Sequence, residues 1–448
     1  TVADKAAIGG LARKIAMAAR HPRSRPSLVF ANQHGEILDY DGLQMAGAAA
    51  GQCYPPDTED LIELPAGSEI FTLPGRLPVG IEPETGEFAL LDENPYQPGE
   101  AVQAVAAFMA PAHTALYSAA FIKKEPVAQA PLLPLFAYTA VGWAEGRFWV
   151  AGLRSDADIR QDIDQFNLSA LEQKTRKQLK KYSHNRLVQH LGTCCLVYGC
   201  PAARNYFLGR WEAPLPCSPV CNAACAGCIS LQPAGLCPST QDRITFVPTP
   251  QEIAELAVPH LEKAKKAIVS FGQGCEGEPL LQAQIMEQAI RLIRKETSRG
   301  TINLNTNGSL PQAVARLADA GLDSIRLSMN SAQPAHHQRY YQPKGFSLAD
   351  VCTSLDTMKA AGRHVSLNYF ILPGCSDDPR EFDAFSSLIE QHRPDLIQLR
   401  NLNMDPDYYR EVIGHNPDAP PIGMRNWLGA LRTRFPWLRF GYYNPPIN

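Results

Sequence analysis

The stretch APLPCSPVCNAACAGCIS, residues 213–230, sets the reading of the whole chain. It begins as a short β-type run and passes into a loop where Cys221, Cys225 and Cys228 stand at C-x3-C-x2-C spacing. Three thiolates that close together can hold three irons of a cubane iron–sulfur cluster, leaving the fourth iron without a protein ligand. An all-cysteine electron-transfer cluster needs four ligands, whereas an open iron is what a catalytic cluster requires. Cys217 keeps a second reading open, because four cysteines also suit a structural zinc ion.

Outward from this loop, the chain alternates strand and helix. Further β-type runs fall at 267–274, 301–306, 324–330, 364–372 and 396–403. Helical stretches separate them, several opening with Pro or a polar cap and closing near Gly. Six strands in this alternation predict a parallel sheet with right-handed crossovers. Six units are too few for a closed eightfold barrel. The expected fold is α/β, a partial (β/α)6 TIM-like barrel with its chemistry at the C-terminal strand ends.

Features at successive strand ends extend the pattern. GQGCEGEPLL follows the second strand, LNTNGSL closes the third, and RLSMNS closes the fourth. With the cysteine motif in register before them, the chain resembles the radical SAM superfamily over about 210–410, in particular its activase-like and molybdopterin-synthesis-like branches. The resemblance implies that Cys221, Cys225 and Cys228 ligate a [4Fe-4S] cluster whose open iron binds S-adenosylmethionine. It further implies cofactor contacts from Gly277, Glu278 and Pro279, from Asn305, and from Ser328 and Asn330. Asn368, Arg400, Asn401 and Asn403 are expected on the adenine, SAM or substrate side. Glu278 is assigned to structure or SAM binding rather than to general base catalysis, and Glu276 is left less constrained. RNLNMDPDYY is expected to form a substrate-side wall. One departure stands out: Gly227 occupies the place before the third cysteine where many members carry an aromatic.

Other cysteines are weighed beside this set. Cys275 and Cys375 follow the second and fifth strands and are candidates for catalytic roles, such as quenching a substrate radical or carrying a methyl group. Cys194, Cys195 and Cys200, with Cys217, offer an auxiliary-cluster set but lack a compact ligand pattern. His336 and His337 are read as surface residues.

The rest of the chain bounds the answer. At 448 residues with 45% apolar content, two or three domains with buried cores are expected. Charged residues make up only 19% and the formal net charge is −3, which argues against a nucleic-acid-coating or polybasic membrane-binding protein. Residues 1–155 read as a strand-rich α+β domain with hairpins at 27–40 and 135–152, a barrel cover or substrate-recruitment unit. Residues 156–209 read as a helical linker whose basic run from Lys174 to Arg186 is a solvated face. Residues 411–448 read as an extension packed on the barrel. The first 26 residues intersperse Lys and Arg with alanines, predicting an amphipathic helix rather than a secretory signal. No apolar run reaches the ~20 residues of a membrane-spanning helix, so the default compartment is the cytoplasm.

The function expected is reductive cleavage of S-adenosylmethionine and hydrogen abstraction from a substrate, large enough to be a peptide, protein or RNA. It needs an external one-electron reductant, flavodoxin- or ferredoxin-like. The alternatives are a glycyl-radical-enzyme activase, a radical SAM C-methyltransferase, or, from another class, a non-enzymatic zinc or iron–sulfur scaffold.

Overall fold

The computed structural model describes residues 21–124, 130–233 and 236–447, so the helix expected near the N-terminus lies mostly outside the described residues. The front of the chain forms an antiparallel sheet of eleven short strands, with a second sheet of three. Its first hairpin pairs Ser27–Ala31 with Ile37–Met45, as the alternation of SLVFA with a Gly-containing turn predicts. The second pairs Val141–Ala144 with Arg147–Arg154 through Glu145 and Gly146, both at positive φ, the two-residue turn that matches strand twist. Residues 135–140 do not join that hairpin. Thr139 bridges Ala107 and Ser118 instead.

The linker becomes helical later than its polarity pattern suggests. Asp156 and Asp158 each accept a backbone N–H two residues on, and Arg154 donates to Asp162. These local side-chain bonds compete with a helical start. Three helices follow: α1 (Leu168–Lys181), α2 (Arg186–Leu196) and α3 (Pro201–Leu208).

A seven-stranded, all-parallel sheet then runs in sequence order. Its strands are β1 (Glu212–Pro214), β2 (Ile268–Phe271), β3 (Thr301–Thr306), β4 (Ser324–Met329), β5 (His364–Ile371), β6 (Leu396–Asn401) and β7 (Arg439–Gly441). The helices between and after these strands are α4 (Pro250–Lys263), α5 (Ala283–Glu296), α6 (Pro311–Ala320), α7 (Pro334–Tyr341), α8 (Leu348–Ala360), α9 (Pro379–His392), α10 (Pro406–Ile413) and α11 (Met424–Arg434). The seventh strand is a correction to the six predicted. RFG carries too little β-pattern to be read alone, and pairing with Leu396–Gln398 makes it a strand.

Alternation along the strands separates two environments. Ile302, Leu304, Ile325, Leu327, Val365, Leu367, Ile397 and Leu399 join the helices' apolar residues in the main core. The intervening residues are polar and bond to one another across the lumen. Ser270 donates to Glu212, Ser324 donates to Asn303, Asn303 donates to Asn305, and Arg326 donates to Gln398. Asn444, beyond β7, donates to Glu212 at 3.0 Å and accepts from Gln398 at 3.0 Å, linking the last strand to the first. The barrel is thus dry outside its sheet and polar within.

Buried histidines make the fold acid-sensitive. His260 on α4 is 6% exposed and lies 3.3 Å from the Trp211 carbonyl, and burial pushes its pKa down to about 4. Its folded-state pKa is depressed, so its contribution is present above the unfolded value and is lost as pH falls from about 6.5 towards 4. The drop is worth up to about 3 kcal/mol. Urea midpoints at pH 7 and pH 5 should show it, and His260→Phe should flatten the profile. An unchanged slope in that variant would exclude His260 as its source.

Candidate active site and metal-binding loop

The cysteine loop is gripped from three sides. The Glu276 carboxylate accepts the backbone N–H of Cys217 (2.8 Å), Ser218 (3.0 Å) and Gln273 (2.6 Å). Gly277 N–H donates to Ser218 O at 2.7 Å and Glu278 N–H to Val220 O at 2.8 Å. A Cβ on Gly277 would overlap the Val220 carbonyl, so this approach requires glycine. From α7, the Tyr341 and Tyr340 carbonyls accept Ala224 N–H (2.9 Å) and Ala226 N–H (3.0 Å). From the end of β3, Asn307 Nδ2 donates to Asn222 Oδ1, and Asn222 Nδ2 donates to Ser309 Oγ, both at 2.9 Å. Glu276, read from sequence as less constrained, is therefore a main clamp of the loop. Its three donors come from backbone separated by about 55 residues, which no local pattern displays.

Glu278 braces the next strand end. Its carboxylate accepts from the Thr306 hydroxyl, from Asn307 N–H at 2.8 Å and from Leu280 N–H at 2.9 Å. Burial pushes its pKa up to about 7 against those donors. Pro279 opens a short turn ahead of α5.

The three motif thiols lie in one loop, close enough to interact electrostatically. Cys225 and Cys221 each feel the charge of Cys228, and burial pushes both thiols up. Arg243 Nη2 donates toward Cys228 Sγ at 3.5 Å. Cys217 is fully buried in the main core, and burial, with the neighbouring Glu276 and Glu278 carboxylates, pushes its thiol well up. The three loop cysteines, without Cys217, are the number an open-iron cluster needs, whereas a structural zinc site takes four ligands. A Cβ on Gly227 would come within 2.9 Å of the Tyr340 hydroxyl and 3.1 Å of Met404 Sδ. Tyr340 from α7 fills the space that an aromatic before the third cysteine would otherwise take.

The remaining expected residues divide. Asn305, Asn368 and Arg400 face the lumen, Asn305 donating to Gly272 O at 2.9 Å. Ser328 stands opposite Asn368 in register, and Asn368 Oδ1 is buried without a partner. Asn330 donates to Tyr409 Oη at 3.2 Å, with its own Oδ1 unpartnered. Asn401 does not face a ligand. Its amide accepts Ala115 N–H at 2.9 Å and donates to His113 O at 3.0 Å, binding the front domain. Within the expected wall RNLNMDPDYY, Arg400 faces the lumen while Asp405 is spent on that interface, 2% exposed and paired with Arg76. Cys275 does not open onto the mouth. It is 4% exposed and packs in the main core. Cys375 is 7% exposed in a second cluster with Tyr340 and Tyr409, and burial pushes its thiol up. His337, read as a surface residue, is 1% exposed, stacked near Tyr341.

Arg326 was not singled out from sequence. It lines a lumen cavity of about 220 Å³ with Arg400, Gln273, Asn305 and Asn444. Burial and the Arg400 charge push its pKa down to about 9. Its Nε and that of Arg400 are buried without partners. The alternation in SIRLSM, which puts Arg326 on the face of Ser324 and Ser328, was the available signal.

Residues 215–385 match the radical SAM superfamily model. This part of the chain belongs to the radical SAM superfamily. Radical SAM domains imply a [4Fe-4S] cluster and S-adenosylmethionine, and the three-cysteine loop described above fits such a cluster. Among curated relatives, GTP 3',8-cyclase of Mycobacterium ulcerans (strain Agy99) is 28% identical over 211 residues, covering 46% of this chain and 51% of the relative. Molybdenum cofactor biosynthesis protein 1 of Mus musculus is 31% identical over 220 residues, covering 49% and 31%. The chain thus spans about half or less of the length of these relatives. Among solved structures, native anSMEcpe with bound AdoMet is 18% identical with a TM-score of 0.34, covering 43% of this chain and 52% of that one. Among the described residues, no helix is long and apolar enough to cross a membrane.

Proposed function

We propose that this radical SAM domain abstracts hydrogen from a substrate held in the barrel lumen by an anionic group. The observation that carries this is the pair Arg326 and Arg400, like charges lining one cavity in which the Glu212 carboxylate accepts from Ser270 and Asn444 rather than from either arginine. Buried charge without a partner is costly, and a bound oxyanion would offset it. When bound, the cluster supplies the electron that cleaves S-adenosylmethionine to methionine and a 5′-deoxyadenosyl radical.

The chain's own residues do the positioning. Cys221, Cys225 and Cys228 would hold the cluster, with Arg243 Nη2 positioned against Cys228 Sγ. Glu276, Gly277 and Asn222 fix the loop that carries them. Ser328, Asn330 and Asn368 offer unspent polar groups for the nucleoside or substrate. The front domain, docked on Asn401 and Asp405, would help close one side of the mouth and keep water out. Its size supports a large substrate such as a peptide, and an external flavodoxin- or ferredoxin-like reductant would supply the electron.

The test is anaerobic reconstitution, reduction with S-adenosylmethionine present, and identification of the nucleoside. We expect 5′-deoxyadenosine from the wild type and none above background from the Cys221→Ala/Cys225→Ala/Cys228→Ala variant. S-adenosylhomocysteine as the main product would replace this reading with methyl transfer. No turnover with a bound zinc would leave a metal scaffold.

A further inference from the structure

A second cluster of ligand-type side chains lies behind the S-adenosylmethionine loop. His190 and Cys194 stand four residues apart on α2, a spacing that puts both on one helix face. Their Nε2 and Sγ atoms are 3.5 Å apart. Cys275, from the loop after β2, completes a set whose three ligand atoms all lie within 4.8 Å of one another. Cys194 is 1% and Cys275 4% exposed. Cys200, the residue preceding α3, joins the same corner: its backbone N–H donates to the Cys194 carbonyl at 3.0 Å. Its thiol is close enough to interact electrostatically with both Cys194 and Cys275.

We propose that His190, Cys194, Cys200 and Cys275 bind a zinc ion that fastens α2 to the loop carrying Glu276 and Gly277. Geometry favours a single ion. Tetrahedral Zn–S and Zn–N bonds place ligand atoms about 3.3–3.8 Å from one another; the His190–Cys194 pair has that spacing, Cys275 lies within 4.8 Å of both, and Cys200 would turn in from outside that set. Three thiolates and an imidazole form a closed, structural donor set with no open position. Cys194 and Cys275 are buried, while His190 and Cys200 are partly exposed and give the ion a way in. The set draws on three separate segments, so the ion would act as a cross-link. Its anchor point, Cys275, directly precedes Glu276, the carboxylate that clamps Cys217 and Ser218. The ion would thus stiffen the base of the cysteine loop without taking part in the chemistry.

The experiment is elemental analysis of the full chain purified anaerobically without added zinc. We expect about one zinc per chain beside about four irons. His190→Ala and Cys194→Ser should each lower zinc at least fivefold with iron unchanged, while the triple loop-cysteine variant should lose iron and keep zinc. Because a ligand variant can fail to fold, cobalt exchange into the folded triple loop-cysteine variant is the second readout. Tetrahedral thiolate–cobalt absorption is expected there. Three results would overturn the proposal: no zinc and no cobalt spectrum; a Cys194–Cys275 disulfide in alkylated peptides from the purified protein; or excess iron that disappears with Cys194→Ser, which would make the site an auxiliary cluster.

Discussion

Asp405→Ala is expected to destabilise the protein by about 3–5 kcal/mol, the cost of leaving a buried charge unpaired. Arg76 Nη2 lies 2.5 Å from Asp405 Oδ2, with the two side chains 1% and 2% exposed. Arg76 also donates to the carbonyls of Pro74 and Pro131, at 3.0 Å each, which anchors the guanidinium in place. It has no path to solvent when its partner is removed. Asp405 further accepts Leu133 N–H at 3.2 Å and caps α10 through Asp407 and Tyr408 N–H. One carboxylate therefore joins the front domain, the barrel and a helix start. Urea denaturation followed by circular dichroism should show the lowered midpoint. The double variant Arg76→Met/Asp405→Leu should recover part of the loss, because it removes both charges and keeps the volume. Asp407→Ala breaks the pairs with Lys123 and Arg410, all with side chains 26–32% exposed, and should cost no more than about 1 kcal/mol. Equal effects from Asp405→Ala and Asp407→Ala would mean that the Arg76 pair is solvated.

The second large effect is on activity. Gly277→Ala should reduce 5′-deoxyadenosine formation by about 100-fold, the scale of a misplacement near 1 Å at a reacting centre. Its Cβ would meet the Val220 carbonyl, one residue before Cys221, and both backbone bonds of this junction would have to lengthen. The obstacle is backbone on both sides, so no rotamer change relieves it. Gly274→Ala, three residues earlier in the same loop, is the control. Its Cβ would meet Gln241 Nε2 at 2.5 Å and Ile229 Cδ1 at 2.6 Å, the tips of side chains that can turn away. A loss within threefold is expected there. Iron content and initial rate should be measured together. A Gly277→Ala protein with full iron and full rate would show that the cysteine loop tolerates the shift.

Which parts of this site were readable along the chain follows from the range of the interactions. The cysteine spacing, the GEP segment and the strand–helix alternation are local, and each stands within a short window of sequence. Glu276 looked unremarkable beside Glu278 because its donors lie at Gln273, Cys217 and Ser218, two of them far upstream. Asn401 and Asp405 looked like ligand-facing residues since a polar strand end normally faces the mouth. The front domain consumes them instead, through bonds spanning 286 residues for Asn401 and 329 for Asp405. Cys275 misled for the same reason. Its position in the loop suggested the mouth, yet its side chain points to a helix eighty residues earlier in sequence.

Periodicity and motif spacing carried the superfamily, the order of the parallel strands and the three loop thiolates. Those features are written by neighbouring residues, whose pattern a short window reveals. Tertiary contact settled the rest: the seventh strand, the Arg326–Arg400 lumen, the Tyr340 ring beside Gly227 and the corner formed by His190, Cys194 and Cys275. Each brings together side chains that are distant along the chain. Whether a polar group is spent on structure or left for a ligand depends on what packs against it, and that is set only when the chain is folded.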